Sequence, residues 1–304
     1  MLIYTHLDCI EHRVPSGHPE RPERLAHLLK HLENVGVTDD FPLQSAPKID
    51  SAQVNNAHEI HYFASLATQK PLEGIEALDP DTWMSPGSLD AAAYAAGAVW
   101  QGVNDVIAGK DPRVFCAVRP PGHHAEYSSP MGFCLLNSVA IAAINALKIP
   151  GINKVAILDF DVHHGNGTVN LCQDNPDILV CSSFQHPFYP GRFHEVDRPN
   201  IVNTPLLSGT KGDAFRHAIT RDWWPAIQRH QPDLILLSAG FDGHRADPLA
   251  QLQLAEADYF WITQEIVALA KQYAQGRIVS ALEGGYDLQA LGTSVVAHLE
   301  ALKA

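Results

Sequence analysis

Short, unbroken apolar runs recur along the chain, and each ends in a polar, glycine-bearing stretch. The clearest are VFCAV at 114–118, KVAILDF at 154–160, DILVCSSF at 177–184, DLILLSAG at 233–240 and RIVSAL at 277–282. They are rich in Val, Ile and Leu with little alternation, the pattern of strands buried on both faces of a parallel sheet. Segments of helical period lie between them, at 89–107, 136–147, 214–230 and 255–274. An earlier one, RPERLAHLLKHLENVG at 21–36, carries Pro22 in its first turn, where a missing N–H is tolerated. Alternation of the two patterns predicts an α/β fold. No composition shift, Gly/Ser/Pro-rich linker or internal repeat divides the chain, so one domain over residues 1–304 is expected. The segment 37–81 has a poor period and predicts no definite element.

Open α/β sheets place their sites beyond the carboxyl ends of the strands, and four of these runs lead straight into polar clusters. VFCAV precedes RPPGHHAE, with His123 and His124. VAILDF precedes DVHHGNG, which supplies Asp161, His163, His164 and Asn166, with Asp159 just upstream. DLILLSAG leads to Asp242, His244 and Asp247, and RIVSAL leads to Glu283, Tyr286 and Asp287. Asp161 and His163 are two apart, so in an extended segment they share a side, joined by Asp159. With one further ligand from a neighbouring strand end they make a three-ligand metal site with an open position. Asp242 is the best third ligand, read as ending its strand. The oxygen and nitrogen donor set suits zinc in a hydrolase, and ligand type alone also permits iron, cobalt or manganese.

Charge and composition narrow the function. The formal net charge is -13, from 34 acidic and 21 basic residues, and no basic run is present. That disfavours a surface built to grip phosphate backbones, so no direct nucleic-acid partner is expected. No apolar stretch approaches the ~18 residues of a membrane span, so no membrane partner is expected either. The start, MLIYTHLD, lacks a basic region followed by an apolar one, which argues against secretion. Cys9, Cys116, Cys134, Cys172 and Cys181 are scattered without a CxxC pair, consistent with reduced thiols in a cytoplasmic protein. A homo-oligomer is compatible with all of this.

At RPPGHHA, DFDVHHGNG, SAGFDGHRADPL and EGGY the sequence resembles the zinc-dependent histone deacetylase superfamily, most closely its bacterial, class II-like amidohydrolases. GHPERPERL at 17–25 and PMGFCLLN at 130–137 resemble it too, so the likeness spans residues 17 to 286 in the expected order. The resemblance implies a three-layer α/β/α domain with a central, mostly parallel sheet of about eight strands, as in the arginase/deacetylase fold. It implies zinc held by Asp161, His163 and Asp242, in agreement with the reading from strand ends. His123 and His124 match the tandem active-site histidines, and Tyr286 the tyrosine that polarises the acyl carbonyl. Asp159 matches the carboxylate bonded to the first tandem histidine. A structural potassium ion is implied at Asp159, Ser182 and Ser183, with the backbone carbonyls of Asp161 and His163. Phe133 and Tyr189 match the walls of a narrow acyl-lysine tunnel, with Leu249 at its rim. The implied reaction is removal of an acetyl group from an amine by metal-activated water, with His124 as general base.

Two departures from the family bear on the chemistry. Position 166 is Asn where class I members carry the Asp that pairs with the second tandem histidine. Asn166 can orient that ring but cannot stabilise its charged form, so His124 is expected to be less basic. YPG at 189–191 runs into RFHEVD, where many relatives have a short turn near the mouth. N-acetyl-lysine of a peptide or protein is the expected substrate. A small acetylated amine such as an acetylpolyamine is the alternative, with Asp79 and Asp81 as candidate acids at the mouth. An arginase-like manganese hydrolase would need extra aspartates, and a non-catalytic binding protein would not need Tyr286 and both histidines intact.

Overall fold

The computed structural model describes residues 1–304. The strands are, in chain order, β1 (Leu2–Thr5), β2 (Leu43–Ser45), β3 (Glu76–Ala77), β4 (Trp83–Met84), β5 (Arg113–Cys116), β6 (Val155–Asp159), β7 (Ile178–Gln185), β8 (Ile201–Leu206), β9 (Leu234–Ala239) and β10 (Ile278–Leu282). Eight of them form one sheet in the order β2-β1-β5-β10-β9-β6-β7-β8. Every pairing within it is parallel. The expected α/β class and eight-stranded sheet are thus present, packed by helices into a three-layer sandwich. All five predicted strands and all five predicted helices form.

The strands that end in the polar clusters, β5, β10, β9 and β6, are consecutive in the sheet. Residues that are far apart in sequence therefore meet at one edge of the molecule. Each of these strands is buried throughout, which is why each reads as an unbroken apolar run. Asp242 lies three residues beyond β9 rather than at its end, on a loop that turns back toward β6. That loop is held by Phe241 N–H donating to the Gly284 carbonyl at 3.0 Å.

The segment left open by the sequence, 37–81, forms short helices, β2 and β3. Ile49, Val54, Tyr62 and Leu66 pack with Met84, Leu135 and Ile141 as a satellite core beside the helix Ser88–Ile107. Leu78 packs against this cluster just before the turn at 79–82 that becomes part of the site.

Candidate active site

Asp161, His163 and Asp242 are buried and their ligand atoms all lie within 4.8 Å of one another. The backbone holds both carboxylates, and Asp161 Oδ1 also accepts from His163 N–H at 2.9 Å. Asp161 Oδ2 accepts from Gly284 N–H at 2.8 Å, and Asp242 Oδ1 from Val162 N–H at 2.9 Å. The other oxygens converge on a single nitrogen: His163 Nδ1 is 3.2 Å from Asp161 Oδ1 and 3.0 Å from Asp242 Oδ2. One N–H cannot serve both carboxylates well, whereas a cation at their centre would take all three donors. The crowding of buried negative charge points the same way. Burial, with Asp161 beside it, pushes the Asp242 carboxyl up to about 7. The residues present therefore fit a divalent cation held by two oxygens and one nitrogen.

The tandem histidines have opposite surroundings. His123 Nδ1 lies 2.9 Å from Asp159 Oδ2. Burial disfavours the charged ring, but Asp159 and Asp161 outweigh it and hold the pKa of His123 well above the ordinary imidazole value. His124 Nδ1 instead meets the neutral amide oxygen of Asn166 at 2.6 Å. Burial, with His123 and His163 beside it, drives the His124 pKa well below the ordinary value. Neighbouring groups whose pKa values are pushed apart are what a site needs when one must stay neutral to accept a proton.

A cleft of about 130 Å³ opens onto this centre. His124, His163 and Tyr286 line it together with the three expected tunnel residues, Phe133, Tyr189 and Leu249, and with Asp81 and Gly132. Phe133 sits at φ 69, a conformation that costs a bulky residue energy and persists only where neighbours enforce it. Thr82 Oγ1 accepts from its N–H at 3.1 Å, Asp81 Oδ1 accepts from Gly132 N–H at 3.1 Å, and the His18 ring packs edge-on against Phe133. Of the two mouth acids, Asp81 faces the cleft. Asp79 is spent locally, its Oδ1 accepting from the N–H groups of Asp81 and Thr82. A larger open groove of about 600 Å³ runs along β8, and it shares no residue with this cleft.

Several polar residues that the strand-end pattern gathers serve as supports. Asp287 caps the helix Leu288–Leu302, its side chain accepting from Ala290 N–H. Asp247 accepts from the N–H groups of Tyr286 and Leu249. Glu283 Oε2 accepts from Gly122 N–H at 2.6 Å and His123 N–H at 3.2 Å, fixing the tandem-histidine segment. His164 bonds Asn203. Ser182, beside Asp159 across the β6–β7 ladder, accepts from Gly165 N–H, and it and Ser183 are buried.

Sequence reasoning did not single out Arg24, Glu20, Arg119 or Glu126. Arg24 is fully buried with its guanidinium 4.8 Å from the centre of the Tyr286 ring. It donates to the Gly285 and Glu283 carbonyls at 2.6 Å each and to Glu20 at 3.0 Å. Arg119 grips Glu20 with two nitrogens, at 2.8 and 2.9 Å. A signal was available: Arg24 lies on the same helical face as Leu28, a core position, where a charge is out of place unless paired.

Fold and site together define an α/β protein of the arginase/deacetylase type, with a candidate metal triad at the floor of a narrow cleft. The chain belongs to the histone deacetylase family, whose histone deacetylase domain pattern matches residues 18–302. It is 39% identical to an uncharacterised Synechocystis protein, over 99% of this chain and 98% of the relative. It is 34% identical to a histone deacetylase-like amidohydrolase of Pseudomonas aeruginosa, over 90% of this chain and 73% of the relative. The crystal structure of the HDA15 HD domain superposes with a TM-score of 0.93 at 31% identity, covering 99% of this chain and 87% of that one.

Proposed function

We propose that this protein is a zinc-dependent amidohydrolase that removes the acetyl group from N-acetyl-lysine of peptides or proteins. The observation that carries the reading is the convergence of Asp161, His163 and Asp242 at the floor of a cleft that His124 and Tyr286 also line. Bound there, the metal supplies Lewis acidity toward the amide carbonyl and lowers the pKa of water. Phe133 and Tyr189 flank the methylene chain and leave the acyl end facing the triad. Neutral His124 accepts the proton of the attacking water. The Tyr286 hydroxyl donates to the carbonyl oxygen as negative charge develops on it. Burial raises the Tyr286 pKa well above the ordinary phenol value despite Arg24 nearby, so the hydroxyl keeps the proton it must donate. The leaving amine takes its proton from the histidine pair, since an alkylamine anion does not depart unaided.

Asn166 supports a class II-like affiliation. Potassium at Asp159, Ser182 and Ser183, with the carbonyls of Asp161 and His163, rests on the family likeness and on the adjacency of Asp159 and Ser182. A second reading, hydrolysis of an acetylpolyamine, is favoured by Asp81, whose carboxylate at the cleft would attract a distal ammonium.

Chelation should abolish hydrolysis of an acetyl-lysine peptide, and zinc should restore it at about one ion per chain. Full activity after removal of divalent metals would sink the zinc mechanism. Comparison of kcat/KM between acetyl-lysine peptides and N8-acetylspermidine separates the two substrates. A polyamine preference above about 100-fold, or about 2.7 kcal/mol, overturns the protein-substrate reading.

A further inference from the structure

We propose that Glu126 is a positioning residue that sets the tautomer of His124, acting through the side-chain amide of Asn166. The inference rests on the reading of His124 as general base. Three contacts form a continuous chain from the cleft to the surface. His124 Nδ1 is 2.6 Å from Asn166 Oδ1, Asn166 Nδ2 is 2.6 Å from Glu126 Oε1, and Arg192 Nη2 is 2.9 Å from Glu126 Oε2.

A carboxamide has a donor end and an acceptor end, and the end facing an imidazole decides which ring nitrogen carries the proton. Glu126, paired with the Arg192 guanidinium, offers only acceptor oxygens, so it takes the NH2 end of Asn166. The carbonyl end is then left for His124, which must donate from Nδ1. Its Nε2 keeps the lone pair that a general base uses. With the amide reversed, Nδ1 would accept, Nε2 would carry the hydrogen, and the base would be lost. His123 needs no such third group, because its partner Asp159 is a carboxylate and accepts with either oxygen.

No other contact fixes the amide as firmly. The remaining neighbours of Asn166 Nδ2 are the Met131 sulfur at 3.1 Å and the His124 carbonyl at 3.4 Å. A thioether accepts weakly and the carbonyl contact is long. Asn166, Glu126 and His124 are all buried, so an unmet polar atom among them is costly. The backbone of Glu126 does not depend on its side chain: its N–H donates to the Ser129 carbonyl at 2.9 Å and its carbonyl accepts from His58 Nδ1 at 2.9 Å. Arg192 follows Tyr189 on the mouth loop, so its ion pair ties the cleft wall to the residue that orients the base. That pair is half exposed on the arginine side and adds little by itself.

The test uses the full-length protein, zinc-loaded for kinetics, and both zinc-loaded and metal-free for 15N NMR of labelled histidine. The His124 signals are assigned from a His124→Gln sample. Glu126→Ala should lower kcat by roughly 10–100-fold with little change in KM, and should shift His124 from the Nδ1–H tautomer toward Nε2–H. Glu126→Gln keeps a carbonyl for Asn166 Nδ2, and should recover most of the lost kcat and the wild-type tautomer. Arg192→Ala should have a smaller effect than Glu126→Ala. Should Glu126→Ala fail to fold, Glu126→Met, similar in volume but a poor acceptor, is read in the same way. Wild-type kcat and an unchanged tautomer in the Ala or Met variant overturn the proposal. So does equal loss in Gln and Ala variants with the tautomer unmoved. If the wild-type protein hydrolyses no acylated amine, the proposed function fails, while the tautomer comparison still decides the role of Glu126.

Discussion

Tyr286 is held from three directions while its hydroxyl is left to the cleft. Its N–H donates to Asp247 Oδ2 at 2.7 Å, its ring meets Phe133 edge-on, and the Arg24 guanidinium lies over the ring. In the proposed reaction the hydroxyl would contribute most as charge builds on the carbonyl oxygen, so Tyr286→Phe should lower kcat and leave KM nearly unchanged. A loss of about 2.7–4 kcal/mol in transition-state stabilisation is expected, as for removal of an oxyanion-hole donor. Steady-state kinetics checks this, and an unchanged kcat with a raised KM would count against the assigned role. Arg24 acts one layer deeper. Two of its hydrogen bonds tie the helix Glu23–Asn34 to the 283–286 loop, and the third goes to Glu20, which Arg119 also binds. Arg24→Met removes one partner of a buried ionic cluster and should destabilise the fold by about 3–5 kcal/mol. Urea titration reads that loss, and a change under about 1 kcal/mol would show that the remaining partners, Arg119 and His12, satisfy Glu20.

At the scale of elements, the site exists because four adjacent strands deliver their loops to one edge, and those loops must pack closely. A Cβ on Gly284 would lie 2.6 Å from Asp161 Oδ2 and closer still to Asp242 Oδ2. Gly284→Ala should therefore push the two carboxylates apart and lower zinc content after reloading, with near-native far-UV circular dichroism. Stoichiometric zinc and wild-type kcat in that variant would show that the loop has room to shift. The same strands were the legible part of the sequence, because a strand covered on both faces has no polar side to interrupt its apolar run. β8 escaped notice for the converse reason: it is an edge strand, carrying Asn203, Thr204 and Pro205 among its apolar residues. Asp287 follows a strand end as a ligand would, yet it caps the helix Leu288–Leu302, an element outside the predicted set. The candidate metal triad was readable in part: the i, i+2 spacing of Asp161 and His163 just past β6 marks two members, while Asp242 arrives on a loop three residues beyond β9. Glu20 and Glu126 were not readable, since their roles depend on partners far along the chain or on which end of an amide faces inward, while the place of Arg24 on the Leu28 face marks it as paired without naming its partners.

Across the whole molecule, buried histidines outside the cleft make stability depend on pH. His298 joins the C-terminal helix to the helix Glu256–Tyr273 and to β10, with Nδ1 2.7 Å from Thr263 Oγ1 and Nε2 2.9 Å from Ser280 Oγ. The Thr263 hydroxyl donates to the Tyr259 carbonyl, so it accepts from His298 Nδ1–H, and Nε2 accepts from Ser280. The aromatic rings of Phe115, Phe160 and Phe241 surround it, and burial pushes its pKa down to about 3. His58 is locked neutral in a similar way: Nε2 accepts from Asn137 N–H at 3.1 Å, and burial lowers its pKa to about 4. In the unfolded chain both rings titrate near the ordinary value of about 6.5. Below that pH the unfolded state binds protons that the folded state refuses, so stability falls as pH falls. The contribution is fully present above about 6.5 and is lost down to the folded pKa values of about 4 and 3. From pH 7.5 to 5.5 each histidine should cost about 1.4 kcal/mol. Carboxylates titrate over part of the same range, so the decisive quantity is a difference between variants. His298→Asn should be less stable than wild type at pH 7.5, yet should lose about 1.4 kcal/mol less between pH 7.5 and 5.5 in urea titrations. Parallel losses in the two proteins would mean that His298 takes up a proton in the folded state, and that the helix it anchors opens to admit it.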